Sequence, residues 1–151
     1  MGDRISISFS ATYNDDNHVV VGSKDNTWKR ESAVLSSHWS GMGLVEMALD
    51  FIQKLQEIQK NEGITEKDEF NPLDRFEPDN VMINFIRMLP YKSDYDRLSK
   101  YGMISSDFRI VKDESDTDNS DNGHYEIDLS ECKKGKKPKV LQGNEVVRVL
   151  A

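Results

Sequence analysis

Apolar and polar residues alternate at the start of the chain, and the pattern changes to a helical period after residue 41. Ile5, Ile7 and Phe9 alternate with serines, which predicts a half-buried strand over 4–9. From about 41 to 61, apolar residues recur every three or four positions, which predicts one long amphipathic helix. Its apolar face consists of Leu44, Val45, Ala48, Leu49, Ile52, Leu55 and Ile58, and Met47 and Phe51 broaden it. A face this broad fits burial on two sides or a contact between subunits.

Shorter patterns on both sides of the helix predict a sheet. The β-branched run 18–22 is expected to form a hairpin with the first strand, and 28–38 reads as one or two strands. The apolar run 81–89 predicts a central strand, and 94–100 predicts a short helix. Further short strands are expected over 108–111, 124–129 and, around a Gln-Gly-Asn turn, 139–150. This order predicts a single α+β domain over 1–151, in which an antiparallel sheet packs against one dominant long helix.

Two charged segments interrupt these patterns. Residues 113–122 form an acidic tip with almost nothing to bury, and we expect a mobile loop there. Residues 118–123 match the first half of a calcium-binding EF-hand loop, but Leu129 stands where the bidentate glutamate is required, so we expect no metal site. The segment 133–139 carries five lysines, which are typical of a solvated loop and could also draw anions towards a site.

The composition limits the classes of partner. A net charge of −7 argues against a general nucleic-acid binder, which needs a basic face, yet a few arginines can still hold a small anionic ligand. No apolar stretch is long enough to span a bilayer, and we expect neither a signal peptide nor a membrane anchor. The single cysteine, Cys132, fits a reducing cytoplasm. We therefore expect a cytoplasmic protein.

The patterns of the common hydrolases and metalloenzymes are missing from the sequence. No nucleophile elbow, phosphate-binding glycine loop or zinc-ligand spacing is present, and the three histidines are scattered. We therefore expect no catalytic residues, no cofactor and no bound metal. The remaining polar residues suit binding, with arginines for phosphates and aromatic rings for stacking.

The junction Ser36–Gly43, between a strand and the long helix, is the strongest candidate for a ligand site. Trp39 could stack on a base and His38 could hydrogen-bond to it, while Gly41 and Gly43 let a ligand approach the backbone. The start of the helix offers amide groups to an anion. A purely structural alternative stays open, in which Trp39 is a core aromatic and His38 a satisfied polar group beside a tight turn.

Four segments together resemble a known family. They are Ile5–Phe9, Ser37–Met42 before the long helix, Asn71–Pro78 leading into 81–87, and Asn122–Asp128. In this combination the chain resembles the phage-encoded Thoeris anti-defence proteins of the first-described type. Residues 10–31 and the acidic tip look like insertions relative to shorter members of that family.

The resemblance implies binding rather than catalysis. Such proteins sequester a cyclic ADP-ribose isomer, the signal made by a bacterial TIR-domain enzyme, and leave it intact, so that an NAD-depleting effector stays off. Members assemble as dimers and further into hexamers, and some also hold cyclic di- or trinucleotides. The expected place of action is the cytoplasm of the infected bacterial host.

The same resemblance assigns residues to the ligand. His38, Trp39, Arg75 and Asn122 match motif positions, whereas Tyr101, Arg109, Lys139 and Arg148 are proposed for their chemistry. We expect arginines to pair with the pyrophosphate, an aromatic ring to stack on adenine, and Asn or backbone groups to hold the ribose hydroxyls. Two alternatives stay open: an enzyme that degrades cyclic nucleotides, and an interaction protein that blocks a host enzyme directly.

Overall fold

A computed structural model of the chain describes residues 2–14, 27–62, 76–89 and 108–147. Seven strands and two α-helices lie in these ranges. In chain order they are β1 (Ile5–Asn14), β2 (Thr27–Glu31), β3 (Val34–Ser37), α1 (Gly43–Glu62), α2 (Pro78–Met88), β4 (Phe108–Val111), β5 (His124–Asp128), β6 (Lys139–Gln142) and β7 (Glu145–Val147). Two short 3₁₀ turns, Glu114–Asp116 and Cys132–Lys134, flank β5.

The sheet is mixed rather than antiparallel, which corrects the sequence prediction. Its order is β4-β3-β1-β5-β6-β7, and β2 also pairs with β1. β5 runs parallel to β1, whereas the other pairs are antiparallel. The reason is the connection over 112–123, which carries the chain from β4 across β3 and β1 and back to the end of the sheet where β1 begins. Such a crossover connection makes β5 parallel to β4 and therefore to β1, and no local sequence pattern predicts it.

A β-bulge divides the partner strand of β1 into β2 and β3. Between the pairs Ile7↔Leu35 and Ser10↔Glu31, β1 has two residues and the opposite chain has three. Ser32 anchors the bulge, because its backbone N–H donates to Phe9 O at 2.8 Å and its hydroxyl accepts from Phe9 N at 3.0 Å. The extra residue shifts the alternation of side chains by one, so Glu31 lies on the same face of the sheet as Ser10.

Both helices cover one face of the sheet and form the core with it. Ile5, Ile7 and Phe9 of β1 are fully buried against apolar residues of both helices. Phe85 of α2 contacts Phe9 at a ring distance of 5.9 Å and Phe51 of α1 at 5.7 Å. The breadth of the α1 face is thus explained within the chain, because α2 packs against its Phe51 side.

The sequence predicted a central strand over 81–89, and this prediction is wrong because 81–88 lie in helix α2. The long helix α1 is therefore not the one dominant helix of the fold. Val81, Met82 and Phe85 are buried in one stripe at helical spacing, and Pro78 occupies the first turn, where a missing N–H is harmless. Ile83 lies on the solvent side and is 59% exposed. This outward isoleucine made the run look uniformly apolar and hid its period.

Other predicted elements are confirmed. The first strand, the two strands of 28–38, the long helix, the strands after 108 and 124, and the final hairpin are all present. The hairpin turns at Gly143 and Asn144, whose φ angles of 59° and 69° suit a two-residue turn. The predicted strand at 18–22, the short helix at 94–100 and residues 71–75 lie outside the described residues.

Candidate functional site

The turn between β3 and α1, residues 37–42 (the Trp39 turn), presents its aromatic ring to solvent. Trp39 is 56% exposed, so it is not the core aromatic of the structural alternative. Its ring lies edge to face with the His38 ring at 4.5 Å between centroids. Ser37 Oγ braces the turn, since it donates to Ser40 Oγ at 2.6 Å and accepts from Ser40 N at 2.9 Å. A large exposed ring on a braced turn can act as a stacking surface.

The residues before β1 hold this turn in place. Asp3 N donates to His38 O at 2.7 Å, and Gly41 N donates to Asp3 O at 2.9 Å. The Asp3 side chain accepts from Asn122 Nδ2 at 2.6 Å, and the same Nδ2 donates to Arg4 O at 2.9 Å. Three of the predicted site residues, His38, Trp39 and Asn122, are therefore brought to one end of the sheet through Asp3, which no sequence pattern had indicated.

Negative charge already lies beside the Trp39 turn. A Cβ placed at Gly41 would collide with the Asp3 carboxylate, so this anion lies against the turn just before α1. Arg4 is paired with Asp118 at 3.2 Å and Asp121 at 3.6 Å. An anionic group of a ligand at the Trp39 turn thus needs cations beyond Arg4, which is occupied by these carboxylates.

The remaining predicted residues are dispersed or outside the described ranges. Arg109 is exposed on edge strand β4 opposite Ser36, and Lys139 is exposed at the start of β6 opposite Asp128. Four strand steps and about four residues of register separate them, which is roughly 20 Å. Arg75, Tyr101 and Arg148 lie outside the described residues, so their part in the site stays a prediction.

Sequence reasoning missed a pocket on the face of the sheet opposite the helices. Ser6, Ser8 and Ser10 point to this face and are buried, at 0%, 0% and 1% exposure. Above them lies a cavity of about 460 Å³, which we call the polar-face pocket. It is lined by residues of β2, the bulge and the start of β3, the loop after β4, β5, and β6 with the β6–β7 turn: Lys29, Glu31, Ser32, Val34, Lys112, Asp113, Glu114, His124, Glu126, Leu141, Gly143 and Asn144.

A directed chain of hydrogen bonds forms beneath this pocket. Ser8 Oγ donates to Glu31 Oε1 at 2.8 Å, because a carboxylate only accepts. His124 Nε2, 3.0 Å from Ser8 Oγ, must therefore donate to it, which leaves His124 Nδ1 to accept from Ser6 Oγ at 2.8 Å. Asn119 Nδ2 donates to Ser6 Oγ at 2.9 Å and completes the chain. All four bonds point the same way, so they polarise one another.

The chain requires a neutral imidazole at His124, and the surroundings favour one. Burial lowers the pKa of His124, and the nearby carboxylates of Glu114, Glu31, Glu126 and Asp113 offset this only in part. Glu114 Oε2 lies 3.6 Å from His124 Nδ1 and is half exposed. A protonated ring would have to turn the Ser6 hydroxyl away and would attract Glu114 instead.

The pocket also contains a lysine side chain that is paired with a carboxylate. Lys29 Nζ contacts Glu126 Oε1 at 2.8 Å, and Glu126 Oε2 accepts from Ser10 Oγ at 2.8 Å. Burial lowers the pKa of Lys29, but its hydrogen bond to Glu126 and the charges of Glu126, Glu31 and Asp128 outweigh this and raise it overall. Lys29 thus stays protonated among the carboxylates.

The serine and histidine of this cluster do not form a poised nucleophile. In a serine hydrolase the histidine accepts the hydroxyl proton, and here the Ser8 proton is directed at Glu31 while His124 donates to Ser8. Ser6 does donate to His124 Nδ1, but Ser6 and Ser8 are both fully buried, so neither hydroxyl is open to a substrate. Among the described residues, no group of three or more His, Cys, Asp and Glu side chains could hold a metal ion. The arrangement is suited to holding hydrogen-bonding groups.

The loop 113–122 has specific contacts in the structure. Asp113 and Asp118 accept from the backbone N–H groups of Ser115 and Ser120, and these bonds lower the pKa of both carboxyls. Asn119 reaches Ser6, as described above. The predicted mobility of this loop stays a prediction, and these contacts would limit it.

Comparisons with known proteins returned no match among family models, curated proteins or solved structures. Within the described ranges, neither helix is long and apolar enough to cross a membrane.

Proposed function

We propose that this chain binds and sequesters a small cyclic nucleotide, a cyclic ADP-ribose isomer, without degrading it. The observation that carries the proposal is the exposed Trp39 on a turn braced by Asp3, beside His38 and Asn122. Adenine would stack on the Trp39 ring, and Asn122 and backbone groups would hold ribose hydroxyls. Arg75 is proposed to pair with the pyrophosphate, because the nearby Arg4 is already paired with aspartates.

The biological role rests on the resemblance stated above. The signal would be removed from a bacterial immune effector in the cytoplasm of an infected host, and the chain would act as a homodimer or hexamer. Cyclic di- and trinucleotides are further ligands to test. A sponge must outcompete the effector, which requires nanomolar affinity, on the order of −12 kcal/mol.

The first experiment is capture and release. The purified protein is incubated with the product of a signalling TIR enzyme, freed of unbound ligand and heat-denatured, and the supernatant is analysed by mass spectrometry. We expect the intact cyclic molecule in stoichiometric amount. Cleaved product would instead favour the cyclic-nucleotide-degrading enzyme, and no capture of any cyclic nucleotide would favour an interaction protein that blocks a host enzyme.

The Trp39→Ala variant assigns the captured ligand to the turn. Loss of base stacking should weaken binding by roughly 1–3 kcal/mol, or about five- to 150-fold. Because Trp39 is largely exposed, the thermal midpoint should stay near that of the wild type. Val146→Ala, at a position 66% exposed on β7, is the matched control and should change neither. Unchanged affinity in Trp39→Ala would remove Trp39 from the site.

A further inference from the structure

The polar-face pocket shares no lining residue with the Trp39 turn. Its walls come from β2, the loop after β4, β5 and the β6–β7 turn, and its volume of about 460 Å³ lies within the range of small-molecule sites. The function proposed above makes no use of it.

The floor of the pocket is fixed before any ligand arrives. His124 lines the pocket with its side chain only 15% exposed, and both ring nitrogens are already engaged by Ser6 and Ser8. Glu31 uses Oε1 for Ser8 and lines the pocket as well. A preorganised floor reduces the ordering that binding would otherwise require.

The walls combine carboxylates with ammonium groups. Four acidic residues line the pocket, and two lysines stand among them: Glu31, Asp113, Glu114 and Glu126, with Lys29 and Lys112. Lys29 already contacts Glu126 at 2.8 Å. A phosphate entering here would meet an excess of carboxylates, and a cation would meet Lys29, which already holds Glu126.

A neutral hydroxyl group can hydrogen-bond both to the carboxylates and to the ammonium groups that line the pocket. It donates one hydrogen bond and accepts others, so it can donate to a carboxylate while accepting from a lysine. Hydrogen bonds to charged groups are the stronger kind. Two adjacent hydroxyls, as in the cis-diol of a sugar, would use two of the lining carboxylates, such as Glu31 and Glu114.

We propose that the polar-face pocket is a second binding site, which takes the cis-diol of a neutral sugar group and excludes phosphate. The sugar could belong to a nucleoside or to a free saccharide, and the test separates these two sources.

Four probes test the proposal by calorimetry and by NMR of the His124 ring: adenosine, methyl riboside, 2′,3′-dideoxyadenosine and adenosine 5′-monophosphate. We expect adenosine or methyl riboside to bind, and the response to either one alone identifies the source of the sugar. For a nucleoside site, the dideoxy compound should bind at least about tenfold more weakly, because it lacks both hydroxyls. The monophosphate should bind more weakly than adenosine, and higher salt should reduce the difference.

Matched variants place the binding in the pocket. Glu114→Gln should weaken binding about tenfold. Asp116→Asn, in the same 3₁₀ turn but outside the lining, should leave binding unchanged. Binding of each probe in the pocket, followed by NMR of the His124 ring, is also measured on Trp39→Ala and should persist there even if the proposed sequestration fails.

Three results would overturn the inference. They are no binding of either sugar probe, equal binding of the dideoxy compound, and equal or tighter binding of the monophosphate. Loss of adenosine binding in Trp39→Ala alone would assign that nucleoside to the Trp39 turn and would equally refute the pocket as its site.

Discussion

A methyl group added at Gly41 should destabilise the protein, whereas the same group two residues later should not. Gly41 has φ of 54°, a left-handed conformation that is unfavourable for alanine by about 1–2 kcal/mol. The new Cβ would also collide with the Asp3 carboxylate. That side chain is exposed and can rotate away, but it then loses the 2.6 Å bond from Asn122 Nδ2, worth about 1 kcal/mol. Gly41→Ala should therefore lower the free energy of unfolding by about 2–3 kcal/mol.

Gly43→Ala is the matched control two residues further along the chain, at the first residue of α1. A Cβ at Gly43 meets nothing within 4 Å, and the residue begins α1. Alanine is favoured over glycine in a helix by roughly 0.5–1 kcal/mol, so this variant should be as stable as the wild type or slightly more stable. We therefore expect the free energies of unfolding of the two variants to differ by about 3 kcal/mol, although each substitution adds one methyl group.

Urea unfolding followed by circular dichroism measures both variants. A double-mutant cycle with Asp3→Ala separates the two contributions, since Gly41→Ala in that background keeps only the strain of about 1–2 kcal/mol. Equal stability of Gly41→Ala and Gly43→Ala would refute the left-handed turn. An undiminished effect of Gly41→Ala in the Asp3→Ala background would refute the contact with the carboxylate.

Two further predictions concern titratable groups. Burial lowers the pKa of His124 from its ordinary value of 6.5. Just below pH 6.5 the unfolded chain therefore binds a proton at this residue that the folded chain does not, so the free energy of unfolding should fall as the pH decreases. Urea titrations between pH 7.5 and 5 should show this decrease, and His124→Gln should reduce it; an unchanged slope in that variant would contradict the assignment. Burial raises the pKa of the Cys132 thiol to about 12, so a disulfide reagent at pH 8 should label the folded protein slowly and the urea-unfolded protein at once. Equally fast labelling of the folded protein would show that the thiol is accessible.

The elements whose apolar residues recur at a regular spacing along the chain were predictable from the sequence, and the arrangement of the sheet was not. The alternation of β1 and the spacing of α1 are local signals, and both elements are present. The parallel pairing of β5 with β1 depends on the path of 112–123, where no hydrophobic pattern exists to reveal a crossover. Misassigning α2 had a different cause, because Ile83 on its solvent face concealed the buried stripe.

The two candidate sites differ in the same way. The Trp39 turn lies within one continuous motif, so His38 and Trp39 could be named from the sequence. Asn122 joins them through Asp3, whose role depends on where the first residues of the chain pass. The polar-face pocket instead needs groups from four separate places along the chain, and the serines beneath it look, in sequence, like the solvent side of a half-buried strand.

Burial of those serines explains why the bulge is essential to this face of the sheet. Buried hydroxyls require hydrogen-bond partners, and Ser8 obtains its acceptor from Glu31. If the same residues paired with β1 without a bulge, Glu31 would stand opposite Ala11 and face the helices, and both its carboxylate and the buried Ser8 would lose their partner. The directed chain through His124 would then lack its terminal acceptor. The hydrogen-bond chemistry of the pocket therefore follows from a one-residue difference in strand register.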